Sequence, residues 1–129
     1  MRLEEKITQG AELIHQSRRM VAFTGAGHST QSGIPDFRSP DSGLWEKHDP
    51  MLVASIWAFR LNPKNFYDWI RPMVDTLSNA EPNPAHDALA ELEQLGHLQV
   101  VITQNIDDLH QRAGSRRVLE LHGHLREAT

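Results

Sequence analysis

Apolar positions along the chain fall into two rhythms. Leu3, Ile7, Ala11 and Ile14 recur at helical spacing, which predicts an amphipathic helix over residues 3–17. Arg18 and Arg19 follow it, where cations suit the helix dipole. Met20–Thr24 is then continuously apolar up to its threonine, as a buried parallel-sheet strand should be. The same reading predicts strands at Leu98–Thr103 and Val118–Leu121. Between them, Phe66, Ile70, Met73, Val74 and Leu77 return to helical spacing, with Pro72 expected to kink or break the helix. Ala85, Ala88, Leu89, Leu92 and Leu95 form another stripe, ended by Gly96. Asp49-Pro50, Asn62-Pro63 and Asn83-Pro84 each read as an N-cap followed by a first-turn proline. Asp107–Arg112 reads as one turn of helix closed by Gly114.

Three strands separated by helices predict an α/β chain with an open parallel sheet. A simple βαβ unit reaches its second strand in about thirty residues. The far longer gap after Thr24 therefore houses a helical insertion, placed at residues 37–82. That stretch holds all three tryptophans and the one tyrosine.

Composition narrows the class. At 129 residues the chain suits one domain or part of one, and 39% hydrophobic with 23% charged residues makes a packed core feasible. A net charge of −4 with mixed signs argues against nucleic-acid binding. No cysteine is present, so neither disulfides nor thiolate metal sites form. Met1–Lys6 is not followed by a signal-peptide apolar region, and no apolar run reaches membrane-spanning length. A soluble, cytoplasmic protein that does not bind membranes is expected.

In open parallel sheets, ligands lie beyond the carboxyl ends of the strands. Each strand here delivers polar groups at that end: Gly25–Ser29, then Gln104-Asn105-Ile106-Asp107, then His122-Gly123. Gly25 and Gly27 leave backbone bare for an approaching anion. The dinucleotide fingerprint wants a third glycine where Thr30 stands, and a Gly-x-Gly after a strand is more often just a tight turn. Gln104 and Asn105 can donate and accept, Asp107 can accept from a carboxamide, and His122 can take a proton from a hydroxyl. Phe37 can shield a cation, and Arg38 can neutralise phosphate.

Plainer roles compete. Asn105 and Asp107 suit caps of the following helix, and Ile34, Phe37 and Ile106 suit the core. Arg38 suits a pair with Asp36 or Asp41, and His122 suits a structural role. His122-x-His124 lacks a third metal ligand, and adjacent Asp107 and Asp108 do not face each other. His15, His48, His86, His97 and His110 show no partner pattern and suit solvated or capping roles. A charged His86 is disfavoured in the first turn of its helix.

Three ordered motifs are similar to those of the sirtuin family. Gly25-Ala26-Gly27 with Ser29 and Ser32–Arg38 resembles the first signature. Thr103–Asp107 with Leu109-His110 and Arg112–Gly114 resembles the second, and Glu120–Gly123 the third. Pro82–His86 also fits, and the resemblance runs from about Met20 to the last residue. It implies a partial Rossmann-like domain over residues 1–129, with 1–36 and 83–129 the Rossmann-like part and 37–82 the cofactor loop and insertion. The implied activity is NAD-dependent removal of an acyl group from lysine in a protein or peptide.

The family's roles carry over as follows. Gly25, Ala26, Gly27, Ser29 and Arg38 would hold NAD phosphates, with Asp36 in the same cofactor loop. Gln104 and Asn105 would contact the nicotinamide ribose, and Asn105 would order a water as well. Ile106 and Asp107 would bind the carboxamide, with Ile34 lining that pocket. Ile34–Arg38 would form a mobile cover. The acyl oxygen would attack the ribose C1′ and expel nicotinamide, with Phe37 protecting the intermediate. His122 would act as general base on a ribose hydroxyl, giving lysine and O-acyl-ADP-ribose. Asn105 and His122 are thus the implied catalytic pair.

The chain departs from the family in four places. Position 108 is Asp where Gly is frequent, and His28 stands at a variable position of the loop. A Tyr and Arg spaced for acidic acyl groups are missing from Ala58–Arg60 and Phe66-Tyr67, which favours a plain acetyl substrate. The family's four-cysteine zinc site and adenosine-binding half of the sheet have no counterpart here, so a truncated product, inactive alone, is expected. The alternatives are a non-catalytic NAD or ADP-ribose binding module and an ordinary dehydrogenase domain. Thr30 and the long insertion disfavour the last.

Overall fold

The computed structural model describes residues 1–40 and 43–127, so the expected Arg38–Asp41 pair lies outside the described residues. Helix α1 (Leu3–Gln16) leads into β1 (Met20–Thr24), followed by a 3₁₀ helix at Ala26–Ser32. The insertion holds α2 (Leu44–Lys47), α3 (Pro50–Val53), α4 (Ile56–Leu61) and α5 (Pro63–Asn79). Then come α6 (Pro84–Gln94), β2 (Leu98–Thr103), α7 (Leu109–Arg112) and β3 (Val118–Glu120). The sheet is parallel throughout, ordered β1-β2-β3. Its register aligns Thr24 with Thr103 and Thr103 with Glu120. The three carboxyl ends are therefore level, and whatever follows each strand emerges on one rim.

Local chemistry explains most element boundaries. Asp49 and Asn83 cap their helices by accepting from Met51 N–H at 2.8 Å and Ala85 N–H at 2.9 Å. Asn62 precedes Pro63 but makes no side-chain cap, contrary to expectation. The first-turn proline, with its φ already set for a helix, starts α5 without one. Pro72 neither ends nor splits α5, which runs unbroken for 17 residues. A proline forfeits one helical hydrogen bond, and long helices held by side-chain packing tolerate that loss. Leu77 of α5 is buried with Ile34, Ala80 and Leu109, and Met73 packs against that cluster. The insertion also packs on itself: Phe59 meets Phe66 edge-on at 5.4 Å, and Trp45 stacks between Phe37 and Trp69.

Two expected burials are not found. No residue of α1 is buried, and its Leu3, Ile7 and Leu13 are exposed. β1 is an edge strand, with Val21 and Phe23 exposed on the face that also carries exposed Leu119. The opposite face is covered, with Val101 wholly buried and α6 packed on β2. A continuous apolar run reports a strand that can be covered on both sides, and here one cover is absent among the described residues.

Candidate functional site

The level strand ends build a cavity of about 240 Å³. Its walls include Ala26, Ser29, Ile34, Phe37, Gln104, Asn105, Ile106, Asp107 and His122, joined by Met73 and Leu77 from α5. Gly25, Gly27, Asp36 and Arg38 are not in its wall. The insertion therefore contributes a wall that spacing alone did not assign, through the two apolar positions of α5 that lean on Ile34.

A buried polar network forms the floor. Ser29 is 1% exposed and donates its hydroxyl to Asp107 Oδ2 at 2.6 Å. Asn105 Nδ2 donates to Ser29 Oγ at 3.2 Å and to Gly25 O at 2.9 Å. Asp107 Oδ1 accepts Leu109 N–H at 3.0 Å, so the capping role coexists with a place in the cavity wall. Asn105, by contrast, ties the second strand's end to the glycine loop and does not cap α7. Ser29 is thereby a hub of the floor and also part of the cavity wall. Only the lone pairs of Asn105 Oδ1 and Asp107 that these bonds leave over can address a ligand.

His122 is set by a single contact. Its Nδ1 lies 3.0 Å from the backbone oxygen of Gln104, which only accepts. Nδ1 therefore carries the proton and Nε2 keeps its lone pair. Residues past β3 are tied down by Arg126, which pairs with both Asp108 and Glu120. That hydrogen bond from Arg126 holds the Glu120 carboxyl below its ordinary value against the opposing effect of burial. Asp108 is the one described non-glycine residue with positive φ, at 64°, so it adopts the left-handed backbone that a glycine there would take freely.

The cover over the cavity is a stitched loop. Leu44 N–H donates to Asp36 O and Trp45 N–H to Phe37 O, each at 2.9 Å. A side chain at Gly43 would collide with Phe37 O and with Ser39 backbone at 2.8 Å, so only glycine permits this approach. Asp36 accepts from Ser39 N–H at 3.0 Å and from its hydroxyl, which turns the loop; its carboxylate serves that turn and not Arg38. Arg38 is exposed.

Gly25 and Gly27 test the fit of a dinucleotide. Neither has positive φ, a Cβ at Gly27 would meet nothing within 4 Å, and one at Gly25 would only touch Gln104 Nε2 at 3.9 Å. The fold itself does not demand glycine at either position. Bare backbone facing open space beside Gln104 and Asn105 fits a phosphate-bearing ligand. Zinc does not fit the family's thiolate scheme, since the chain has no cysteine.

Two histidines assigned to solvated or capping roles are instead deep in the structure. His86 is 0% and His110 1% exposed, and both rings meet that of His28 beneath the loop. His86 does also cap, its Nδ1 accepting Asn83 N–H at 3.2 Å. Burial lowers the pKa of all three imidazoles, that of His110 to about 4. Neighbouring imidazoles lower His86 and His110 further, while Asp107 opposes the shift in each. No sequence spacing signals this cluster, because its members come from three separate stretches.

The Sir2 family model matches residues 25–129. An NAD-dependent protein deacylase 2 of Archaeoglobus fulgidus is 59% identical over 121 residues, which is 94% of this chain and 47% of that protein. An NAD-dependent protein deacetylase of Saccharolobus solfataricus is 54% identical over 118 residues, covering 92% of this chain and 47% of that one. Among solved structures, a Sir2 homologue mutant bound to ADP-ribose superposes with a TM-score of 0.87 at 48% identity, over 92% of this chain and 47% of that one. A Sir2 homolog–NAD complex gives 0.81 at 48% identity, over 97% and 47%. The chain thus spans about half the length of the curated relatives it matches. With the level strand ends, the glycine loop and His122 in place, the chain belongs to the Sir2 family.

Proposed function

We propose that this chain supplies the nicotinamide pocket and the general base of an NAD-dependent protein-lysine deacylase. A plain acetyl-lysine in a protein or peptide is its expected substrate. The observation that carries the reading is the His122 tautomer: Gln104 O accepts the Nδ1–H hydrogen bond, which leaves the Nε2 lone pair at the cavity wall. The names of the relatives support it. So does a Sir2 structure with a deacetylated p53 peptide and 3′-O-acetyl ADP-ribose, 45% identical with a TM-score of 0.85. A cytoplasmic location belongs to the same proposal.

NAD, when bound, supplies a sugar carbon with nicotinamide as its leaving group and a neighbouring hydroxyl. The chain's own residues then have separable tasks. Asp107, fixed by Ser29 and Leu109 N–H, accepts from the carboxamide, and Ile106 and Ile34 flank it. Phe37, stacked on Trp45, screens the reacting carbon from water. Asn105, its amide spent on the glycine loop, offers Oδ1 to a water or ribose hydroxyl. Gln104 holds His122 through its backbone and faces the sugar with its side chain. His122 Nε2 takes the hydroxyl proton. Exposed Arg38 stands ready to neutralise phosphate.

His122→Ala tests this in a chain extended to the length of the relatives. Deacylation of an acetyl-lysine peptide is expected to fall by roughly 10²–10⁴-fold. ADP-ribose binding, read by calorimetry, should persist. Binding without deacylation in the unmutated protein would mark a non-catalytic binding module. Unchanged turnover in the variant would remove His122 from the catalytic role.

A further inference from the structure

The geometry points to a divalent transition-metal site formed by His28, His86 and His110 beneath the glycine loop. One ring nitrogen from each of the three lies within 4.8 Å of the other two. Ring centroids are 4.5 Å apart for His28–His86, 4.9 Å for His86–His110 and 5.0 Å for His28–His110. Such a set suits zinc, copper or nickel, for which imidazole is a favoured ligand.

A second observation concerns the nitrogens themselves. His28 Nε2 and His110 Nδ1 are closed off from solvent and have no hydrogen-bond partner. Orphaned buried polar atoms are rare and call for an explanation. His110 is held as a metal-ligating imidazole usually is, with its other nitrogen engaged by an acceptor. Its Nε2 lies 2.8 Å from Thr24 Oγ1, and Thr24 donates its own O–H to Thr103 Oγ1 at 2.8 Å. Thr24 therefore receives Nε2–H, and the Nδ1 lone pair of His110 is free.

His86 joins by a tautomer change. With Nδ1 accepting from Asn83 N–H, its proton sits on Nε2, 3.5 Å from Ser29 Oγ. On metal binding that proton moves to Nδ1, the 3.2 Å contact with Asn83 is given up, and the Nε2 lone pair turns to the ion. Asp107 supplies a compensating charge close enough to act on all three rings. This site uses no cysteine and does not depend on the NAD reading.

Titration of the metal-free protein with Zn²⁺, followed by calorimetry near neutral pH, tests the site directly. One equivalent should bind, and Co²⁺ in its place should give the intense visible bands of tetrahedral coordination. His28 is only half-buried, so His28→Ala should keep the fold, checked by circular dichroism. That variant should weaken Zn²⁺ binding about tenfold or more and abolish the Co²⁺ bands. The proposal is overturned if the unmutated protein binds no stoichiometric Zn²⁺. It is equally overturned if His28→Ala binds as before, or if binding is lost in His124→Ala instead.

Discussion

Ser29 meets three demands at one atom: its hydroxyl donates to Asp107, accepts from Asn105 and lies 3.5 Å from His86 Nε2. Ser29→Ala strips Asp107 Oδ2 and Asn105 of a partner at once, where Ser29 itself is 1% exposed. Leaving buried groups unsatisfied costs about 1–3 kcal/mol, so the urea-unfolding free energy should fall by that amount. A change within about 0.5 kcal/mol would show that the floor is satisfied by other means. Sequence reasoning reached Gln104, Asn105, Asp107 and His122 because strand ends in a parallel sheet face the ligand whatever the rest of the fold does. The hydrogen bonds of Ser29 to Asp107 and Asn105 were not legible, because spacing along a loop does not say which side chains turn inward. The orphaned nitrogens of His28 and His110 were out of reach for the same reason.

Asn83 joins two elements. It caps α6 through Ala85 N–H, and its Nδ2 donates to His28 O at 2.9 Å and Ser32 Oγ at 3.1 Å in the 3₁₀ helix. Asn83→Ala should cost about 2 kcal/mol, the upper end for a lost cap, and Asn83→Asp should recover only the capping part. Equal stability for Asn83→Asp and the unmutated protein, measured by thermal unfolding, would show that the amide donors contribute nothing. Pro72 sits inside α5 at a position where alanine restores one backbone hydrogen bond. Pro72→Ala should therefore raise unfolding stability by roughly 1 kcal/mol or more, after some loss of its packing beside Trp69 and Met73. A drop in the melting temperature would mean that packing outweighs the helix term. Helix existence was legible from apolar spacing and capping pairs, as Asp49 and Asn83 show. The continuity of α5 was not, because a proline's penalty is local while Leu77 and Met73 hold the helix through tertiary contacts.

Across the whole molecule, the parallel sense of the sheet followed from three apolar runs separated by helices, whereas burial did not follow from them. Val21, Phe23 and Leu119 satisfy a strand pattern and remain exposed, because a pattern specifies which face is apolar and not what covers it. The covered side carries the strongest pH dependence. His110 titrates at about 4 in the fold against an ordinary 6.5, chiefly through burial and then through His86 and His28, with Asp107 opposing. His28 and His86 shift in the same direction. Between these values the unfolded chain binds protons that the folded chain refuses, so stability rises with pH. The contribution is complete above pH 6.5, is lost progressively as pH falls towards 4, and is flat below that for His110. Glu120 acts lower: its carboxyl is held below 4.5, so its stabilisation is lost only as pH falls beneath that value. Urea-unfolding midpoints taken from pH 7.5 down to pH 4 should therefore decline steadily. In His110→Gln, which has no proton to gain, the decline should be shallower over the same window. Parallel curves for the two proteins would show that the imidazole cluster does not resist protonation in the fold.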